Sequence, residues 1–142
     1  MKKTGVHRFT ASLPGDLLRS LDSMSREKGY RTRSLAIADM IRSGIIEHRQ
    51  HHLDAEIAGS LTIVYDHHQR NLQSVLTSIQ HDHHRLILST LHVHLDHDNC
   101  LEVIVLRGKA AEIKQLAERI IAAKGVKHGK LAITTTGKDL PA

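Results

Sequence analysis

The residues best suited to chemistry lie between positions 81 and 100 and form the pattern H-x10-H-x-H-x5-C. His81, His92, His94 and Cys100 supply three imidazoles and the only thiol of the chain. Nitrogen and sulfur donors together suit nickel, copper, zinc or cobalt. Binding requires a thiolate and neutral imidazoles, so metal affinity should fall in acid. We therefore predict that these residues ligate a transition metal. The sequence leaves open the geometry, and with it the choice of metal.

Three of these residues are predicted to converge on a β-hairpin. His92 and His94 are two residues apart on a strand, so their side chains share a face. The short polar loop 95–99 should place Cys100 opposite His94, at a cross-strand distance that allows one shared metal. Glu102 lies on the same face and could orient an imidazole. His81 ends the preceding helix, and its spacing is compatible with the same metal or with one in another subunit.

The competing interpretation is that these histidines are only exposed surface residues, because thirteen histidines in 142 residues will form some pairs by chance. Six further histidines are predicted to be surface residues with at most weak metal binding: His48, His51, His52, His67, His68 and His128. Cys100 with His94 could instead form a nucleophile–base pair, but several histidines around one cysteine fit ligation better. The chain contains no Gly-rich phosphate loop. We therefore predict that the protein is not an enzyme and has no small-molecule substrate.

The elements that must position these residues follow a β-α-β-β-α-β order after residue 60. This order predicts an α+β fold with a ferredoxin-like split βαβ arrangement. The predicted domain spans 60–136, with a loose tail at 137–142. Its strands are predicted at Leu61–His67, Ile87–His94, Cys100–Arg107 and Val126–Thr135, and its helices at Asn71–Gln80 and Ala110–Lys124.

The first fifty residues are predicted to form a strand–helix–helix unit, followed by a linker at 51–59. Strict alternation at 8–13 indicates a strand with one buried face. Pro14 starts a helix that Gly29 ends, and Thr32 or Ser34 caps the next helix. Such a unit is too small to bury a core alone. Dimerisation, with the strand of each copy paired to the other, would provide both a core and a strand partner.

Charge and composition point to double-stranded nucleic acid as the partner of this first unit. The chain carries a net charge of +5. Residues 1–50 hold ten Lys/Arg and five Asp/Glu, which accounts for the whole excess. An aromatic content of 2% argues against stacking on single strands. No apolar run is long enough to span a membrane, no signal peptide is evident, and a single cysteine suits a reducing cytoplasm.

The exposed side of the predicted strand carries the side chains that could read DNA. A two-stranded ribbon fits the major groove of B-DNA, and Arg8, Thr10 and Ser12 would face base edges there. The start of the second helix, at Arg33 and Ser34, offers backbone N–H groups to a phosphate.

The chain resembles the nickel-responsive transcriptional regulators (NikR) over about residues 6–136. The resemblance is carried by residues 91–102 (LHVHLDHDNCLE) with Gln80-His81 upstream, and by shorter matches at 17–23, 29–30, 33–34 and 125–129. It implies a ribbon-helix-helix DNA-binding domain at 1–50 and an ACT-like domain at 60–136. It also implies a cytoplasmic homotetramer, built as a dimer of dimers, that binds operator DNA and represses nickel-uptake genes.

The resemblance further implies one near square-planar Ni(II) per subunit. Its ligands would be His92, His94 and Cys100 of one subunit and His81 of a neighbour. One departure concerns a second cation site between the domains, which in well-known members uses a Glu and an Asp. Leu35 and Asp39 stand there, and Leu35 cannot ligate. The alternatives are a regulator of cobalt, copper or zinc, and a nickel storage or delivery protein that binds no DNA.

Overall fold

The computed structural model describes residues 5–50, 52, 54–138 and 140, which divide into two compact units at Glu47/His48. Within the described ranges, no helix is long and apolar enough to cross a membrane. The elements are α1 (Gly15–Glu27), α2 (Arg33–Gln50), β1 (Glu56–Asp66), α3 (Leu72–Asp82), β2 (Ile87–His94), β3 (Asn99–Lys109), α4 (Ala110–Ile121) and β4 (Val126–Thr135).

The first unit consists of α1 and α2, and both begin where the sequence predicts. Pro14 precedes α1, and Gly29 follows its end with a φ of +74°, a backbone conformation that suits glycine. The Thr32 hydroxyl accepts a hydrogen bond from the Leu35 backbone N–H at 3.2 Å. Thr32 is therefore the N-cap that satisfies a free donor of the first turn of α2.

Side-chain contacts join α1 to α2. The Arg33 guanidinium donates two hydrogen bonds of 2.7 Å to the Asp22 carboxylate on α1. This bidentate pair fixes the start of α2 against α1. The Tyr30 hydroxyl donates to the Asp39 carboxylate. Asp39, the one potential ligand left at the second cation position, is thus engaged within its own unit.

The strand predicted at 8–13 is not formed in the single chain. Residues 5–14 adopt neither helix nor strand, and Phe9 is 72% exposed. A strand requires a neighbour that pairs with its backbone, and the sheet of the described residues contains only β1–β4. The predicted strand pairs with a second copy of the chain, which the single chain does not contain, so this strand stays a prediction.

The second unit is a four-stranded antiparallel sheet in the order β2-β3-β1-β4. Its element order confirms the predicted β-α-β-β-α-β arrangement and the α+β class. Both helices bury their apolar side chains in a single core with the alternate residues of β1 and β3. This core includes Leu61, Ile63 and Tyr65 of β1.

Element boundaries differ from the prediction mainly in β1. This strand begins at Glu56, so the predicted linker of 51–59 overlaps it. The start of β1 was predicted too late because Gly59 is a poor strand former. Glycine is nevertheless required at this position, since a Cβ there would lie 2.8 Å from the Ala132 carbonyl oxygen of β4. Helix α4 also ends at Ile121, short of the predicted Lys124. Residues 139, 141 and 142 of the predicted tail lie outside the described residues.

Candidate metal centre

The β2–β3 hairpin places the predicted ligands as the spacing suggested. His94 pairs with Cys100 and His92 pairs with Glu102 across the two strands. The connecting loop is held by the Asp96 carboxylate, which accepts hydrogen bonds of 2.8 Å from the backbone N–H groups of Asp98 and Asn99. These bonds fix the turn that brings the thiol opposite the imidazole.

The Cys100 thiol is the centre of a three-donor group. It is fully buried, and its Sγ lies 3.3 Å from Nδ1 of His94 and 3.5 Å from Nδ1 of His67. With metal–sulfur and metal–nitrogen bonds of about 2.3 and 2.0–2.1 Å, sulfur and nitrogen ligands lie about 3.1 Å apart at a right angle and about 3.5 Å apart in a tetrahedron. The two distances from the thiol are therefore compatible with a single metal ion bound by Cys100, His94 and His67.

His67 is the donor that the sequence analysis missed. It was predicted to be a surface residue, and its side chain is exposed. It follows β1 directly, and its backbone N–H donates to the Asp98 carbonyl at 2.7 Å, which joins it to the hairpin loop. The available signal was the ferredoxin-like order itself, because that order pairs β1 with β3 and so brings the end of β1 to Cys100.

His92 lies beside this group without joining it in the single chain. Its ring centroid is 4.9 Å from that of His94. Its Nδ1 lies 3.1 Å from the Tyr65 hydroxyl and 3.9 Å from Oε2 of Glu102. A histidine held through one ring nitrogen is oriented so that the other can face a metal.

Glu102 is a buried carboxylate with polar partners. Its Oε1 accepts a hydrogen bond of 2.7 Å from Nε2 of Gln80 on α3. Together with His92, His94 and His67, these two residues line an open cavity of about 410 Å³. The cavity gives the donor set a route to solvent and leaves room for a further ligand.

Burial raises the pKa values of two acidic groups beside these histidines, the Cys100 thiol and the Tyr65 hydroxyl. Burial, with smaller contributions from the negative charges of Asp96 and Glu102, raises the pKa of the Cys100 thiol. Burial, followed by the charges of Glu102 and Cys100, raises the pKa of Tyr65 to about 12. Cys100 is therefore a neutral thiol near neutral pH, and a metal must displace its proton.

His81 does not approach the thiol within its own chain. It lies exposed in the last turn of α3, where its carbonyl accepts a hydrogen bond of 3.1 Å from Nδ1 of His84. It is absent from the metal-ligand groups found among the described residues. Its role as a ligand donated to a neighbouring subunit remains a prediction.

The predicted DNA-contacting residues differ in their availability. Arg8, Thr10 and Ser12 are exposed. The Arg33 side chain is engaged with Asp22, so at the start of α2 the backbone N–H groups and the exposed Ser34 are the groups left for a phosphate.

Comparison with known proteins places this site in a family. Residues 58–134 match the family described as NikR C terminal nickel binding domain. A protein of Nitratidesulfovibrio vulgaris (Miyazaki F) that is named as a nickel-responsive regulator is 55% identical to this chain. The match covers 94% of this chain and 96% of that protein. One of Thermococcus onnurineus is 50% identical over 95% and 98%, respectively.

A solved structure shares the fold of part of this chain. An uncharacterized protein from Thermotoga maritima has a TM-score of 0.51 and 18% identity, and the match covers 56% of this chain and 98% of that one. The family match spans the strands that carry Cys100, His94 and His92, and the relatives match nearly the whole chain. The chain therefore belongs to the family of nickel-responsive regulators.

Proposed function

We propose that this protein is a DNA-binding transcriptional regulator that represses nickel-uptake genes when Ni(II) is bound. The observation that carries the proposal is the buried thiol of Cys100 with imidazole donors at 3.3 and 3.5 Å, in a unit of a nickel-binding family. Residues 1–50 account for the whole net charge of +5, as expected for a part that meets DNA.

The nickel site of the assembled protein would take His92, His94 and Cys100 from one subunit and His81 from a neighbour, one Ni(II) per subunit. Three nitrogens and a thiolate suit a borderline metal. Bound there, the metal would link subunits. Glu102 and Tyr65 would hold His92 in position from behind, since both lie near its Nδ1.

Dimerisation of the first unit is supported by an apolar groove on its surface. Phe9, Leu13, Leu17 and Ile41 line it, and all four are between 44% and 72% exposed. A second copy would bury this groove, in keeping with the size limit on independent cores. Two copies of 8–13 would then pair as a ribbon-helix-helix dimer and present Arg8, Thr10 and Ser12 to the major groove.

Tetramerisation through the second unit is supported by exposed apolar side chains on one face of the β2–β3 hairpin. Leu91 and Val93 of β2 and Val105 of β3 are apolar but 60%, 39% and 39% exposed. The register pairs Leu91 with Val103 and Val93 with Leu101, which makes one continuous apolar strip. A second copy that packed on this strip would bury its apolar side chains, on the face of the hairpin opposite to His92 and His94.

Nickel would act by linkage between these assemblies and the DNA-binding ribbon. A ligand shifts a conformational equilibrium only by its different affinity for the two states. A site completed by a neighbour's His81 binds metal best when the subunits are correctly docked. The docked state would in turn fix how the two ribbon dimers are posed for DNA.

Selection from a pool of random duplexes tests the proposal without knowledge of the operator. Nickel-loaded protein should enrich an inverted repeat, because a symmetric dimer reads two half-sites. The same selection with Arg8→Ala and Thr10→Ala protein should enrich nothing. Failure of the nickel-loaded protein to enrich any sequence would argue for nickel storage or delivery instead.

A further inference from the structure

Asp22 and Arg33 form an ion pair where α1 meets the start of α2. Nε and Nη2 of Arg33 donate hydrogen bonds of 2.7 Å to the two carboxylate oxygens of Asp22. The pair lies at the surface, because the Arg33 side chain is 59% exposed and that of Asp22 is 30% exposed. A ligand that approaches from solvent can therefore compete for the guanidinium.

Both partners of this pair are charged at neutral pH. The hydrogen bonds from Arg33, together with its positive charge, lower the pKa of the Asp22 carboxyl. The same hydrogen bonds, together with the charge of Asp22, raise the pKa of Arg33. Each group thus favours the ionised form of the other. The guanidinium is neutralised within the protein before any external anion arrives.

Arg33 lies beside backbone donors that suit a phosphate. The Thr32 hydroxyl accepts from the Leu35 N–H, and the Thr32 carbonyl accepts from the Ala36 N–H at 3.3 Å. The N–H groups of Arg33 and Ser34 come earlier in the first turn, so they have no acceptor within the helix. A DNA phosphate held by these two donors would lie next to the Arg33 side chain.

A phosphate and the Asp22 carboxylate would compete for Arg33 through the same chemistry. Each carries one negative charge and two oxygens that accept parallel N–H bonds from a guanidinium. Affinity for DNA, and its dependence on salt, grow with the number of phosphates that protein charges neutralise. A guanidinium already neutralised by Asp22 adds little to that number, even where its remaining N–H groups reach a phosphate.

We propose that Asp22 limits the sequence-independent affinity of this protein for DNA, by holding Arg33 in an ion pair that withholds its charge from a phosphate. The inference rests on the proposed DNA-binding function. Asp22 is a positioning residue, since it acts through Arg33 and need not touch DNA. The base contacts of the ribbon then supply a larger share of the binding free energy.

DNA titrations with nickel-loaded, full-length protein test this role. Fluorescence anisotropy gives the Kd for the selected duplex and for a scrambled duplex of the same length, between about 50 and 200 mM salt. D22N keeps the size of the side chain but leaves the charge of Arg33 uncompensated. We expect D22N to bind both duplexes several-fold more tightly and by the same factor, because a phosphate contact carries no sequence information. The plot of log Kd against log salt should steepen by about one for each phosphate gained, or about two per dimer.

Two further variants separate the release of Arg33 from a general change of charge. E27Q removes the same charge from an exposed position of α1 whose carboxylate accepts from the Ser23 hydroxyl and not from Arg33. Its salt dependence should equal that of the wild type. D22N/R33Q lacks the same ion pair as D22N but has the net charge of the wild type, and it should lose the gain. Circular dichroism measures the helix content of each variant.

Unchanged or weaker binding by D22N, an equal gain in E27Q, a gain that persists in D22N/R33Q, or a gain confined to the selected duplex would overturn the role of Asp22. If the wild type binds its selected duplex in a nickel-dependent manner and D22N behaves identically, this inference alone is rejected. If D22N shows the expected gain but nickel has no effect on either protein, the proposed nickel-dependent repression alone is rejected. Absence of binding to any duplex by the wild type and by D22N would overturn both.

Discussion

Cys100 couples nickel binding to proton release. Its thiol is buried, and burial raises its pKa, so it is protonated until a metal binds. A lower pH favours the protonated thiol and so opposes metal binding, whereas a higher pH lowers the free-energy cost of removing the proton. Nickel affinity should therefore rise with pH.

The contribution of the thiol can be isolated with Cys100→Ser. Between pH 6 and 8, the wild type should release about one proton more per nickel than the variant, which corresponds to an affinity change of up to about tenfold per pH unit. Calorimetry in buffers of different ionisation enthalpy measures this number. The same proton count in both proteins would show that the thiol is not a ligand.

His67 and His81 are alternative imidazole ligands for a metal bound to Cys100, and substitution of each distinguishes them. In the proposed tetramer, His81→Gln should weaken nickel binding strongly and change its absorption spectrum, since it removes a ligand. His67→Gln should leave the equilibrium affinity and the spectrum nearly unchanged. Competition with a chelator of known affinity measures both. The opposite pattern would mean that the ligand set seen in the single chain is the one used.

At the residue scale, the sequence predicted the local part of the site and missed its non-local part. His92, His94 and Cys100 lie on one hairpin, so the alternation of side chains along its strands and the short loop were enough to predict their positions. His67 is 33 positions from Cys100 along the chain, and its approach depends on β1 pairing with β3. Sheet order, which spacing alone does not encode, decides that contact.

At the element scale, the sheet depends on a close approach between β1 and β4 at Gly59. A Cβ there would lie 2.8 Å from the Ala132 carbonyl oxygen, a backbone atom that cannot move aside without disturbing the ladder. Gly59→Ala should therefore destabilise the second unit by about 1–3 kcal/mol, the usual cost of overpacking, even though alanine is otherwise less unfavourable than glycine in a strand.

Thermal unfolding of the protein in the presence of a chelator measures this effect free of metal stabilisation. Gly5→Ala is the control, because a Cβ at Gly5 meets nothing within 4 Å. An unfolding temperature for Gly59→Ala equal to or above that of the wild type would contradict the close approach.

Elements with strong local signals were predicted best. Strands β2 and β4 begin and end as expected, since their alternation is bounded by a polar loop and by Gly125. The start of β1 was missed because the sequence from 58 to 60 (AGS) lacks β-branched and aromatic residues, while pairing with both β3 and β4 extends the strand. The strand at 8–13 was predicted from its pattern but requires a partner outside the single chain.

At the scale of the whole molecule, two apolar surfaces support assembly, and the groove of the first unit can be tested on its own. Ile41→Asp places a charge in that groove and should weaken self-association and DNA binding. Nickel binding by the second unit should be unchanged, because its ligands lie elsewhere in the sequence. Sedimentation equilibrium and a nickel titration measure the two properties.

Ser43→Asp is the matched control for this substitution. It adds the same charge at an exposed position of α2 that does not line the groove. Self-association of Ile41→Asp as strong as that of Ser43→Asp would rule out the groove as a dimer interface.

The most direct test of the central claim is the affinity of the full-length protein for its selected duplex with and without Ni(II), at one fixed salt concentration. Nickel should strengthen binding by about 5- to 150-fold, the usual range of allosteric coupling, and the duplex should strengthen nickel binding by the same factor. Cys100→Ser protein should show no such response. Equal affinity for the duplex with and without nickel would contradict the account.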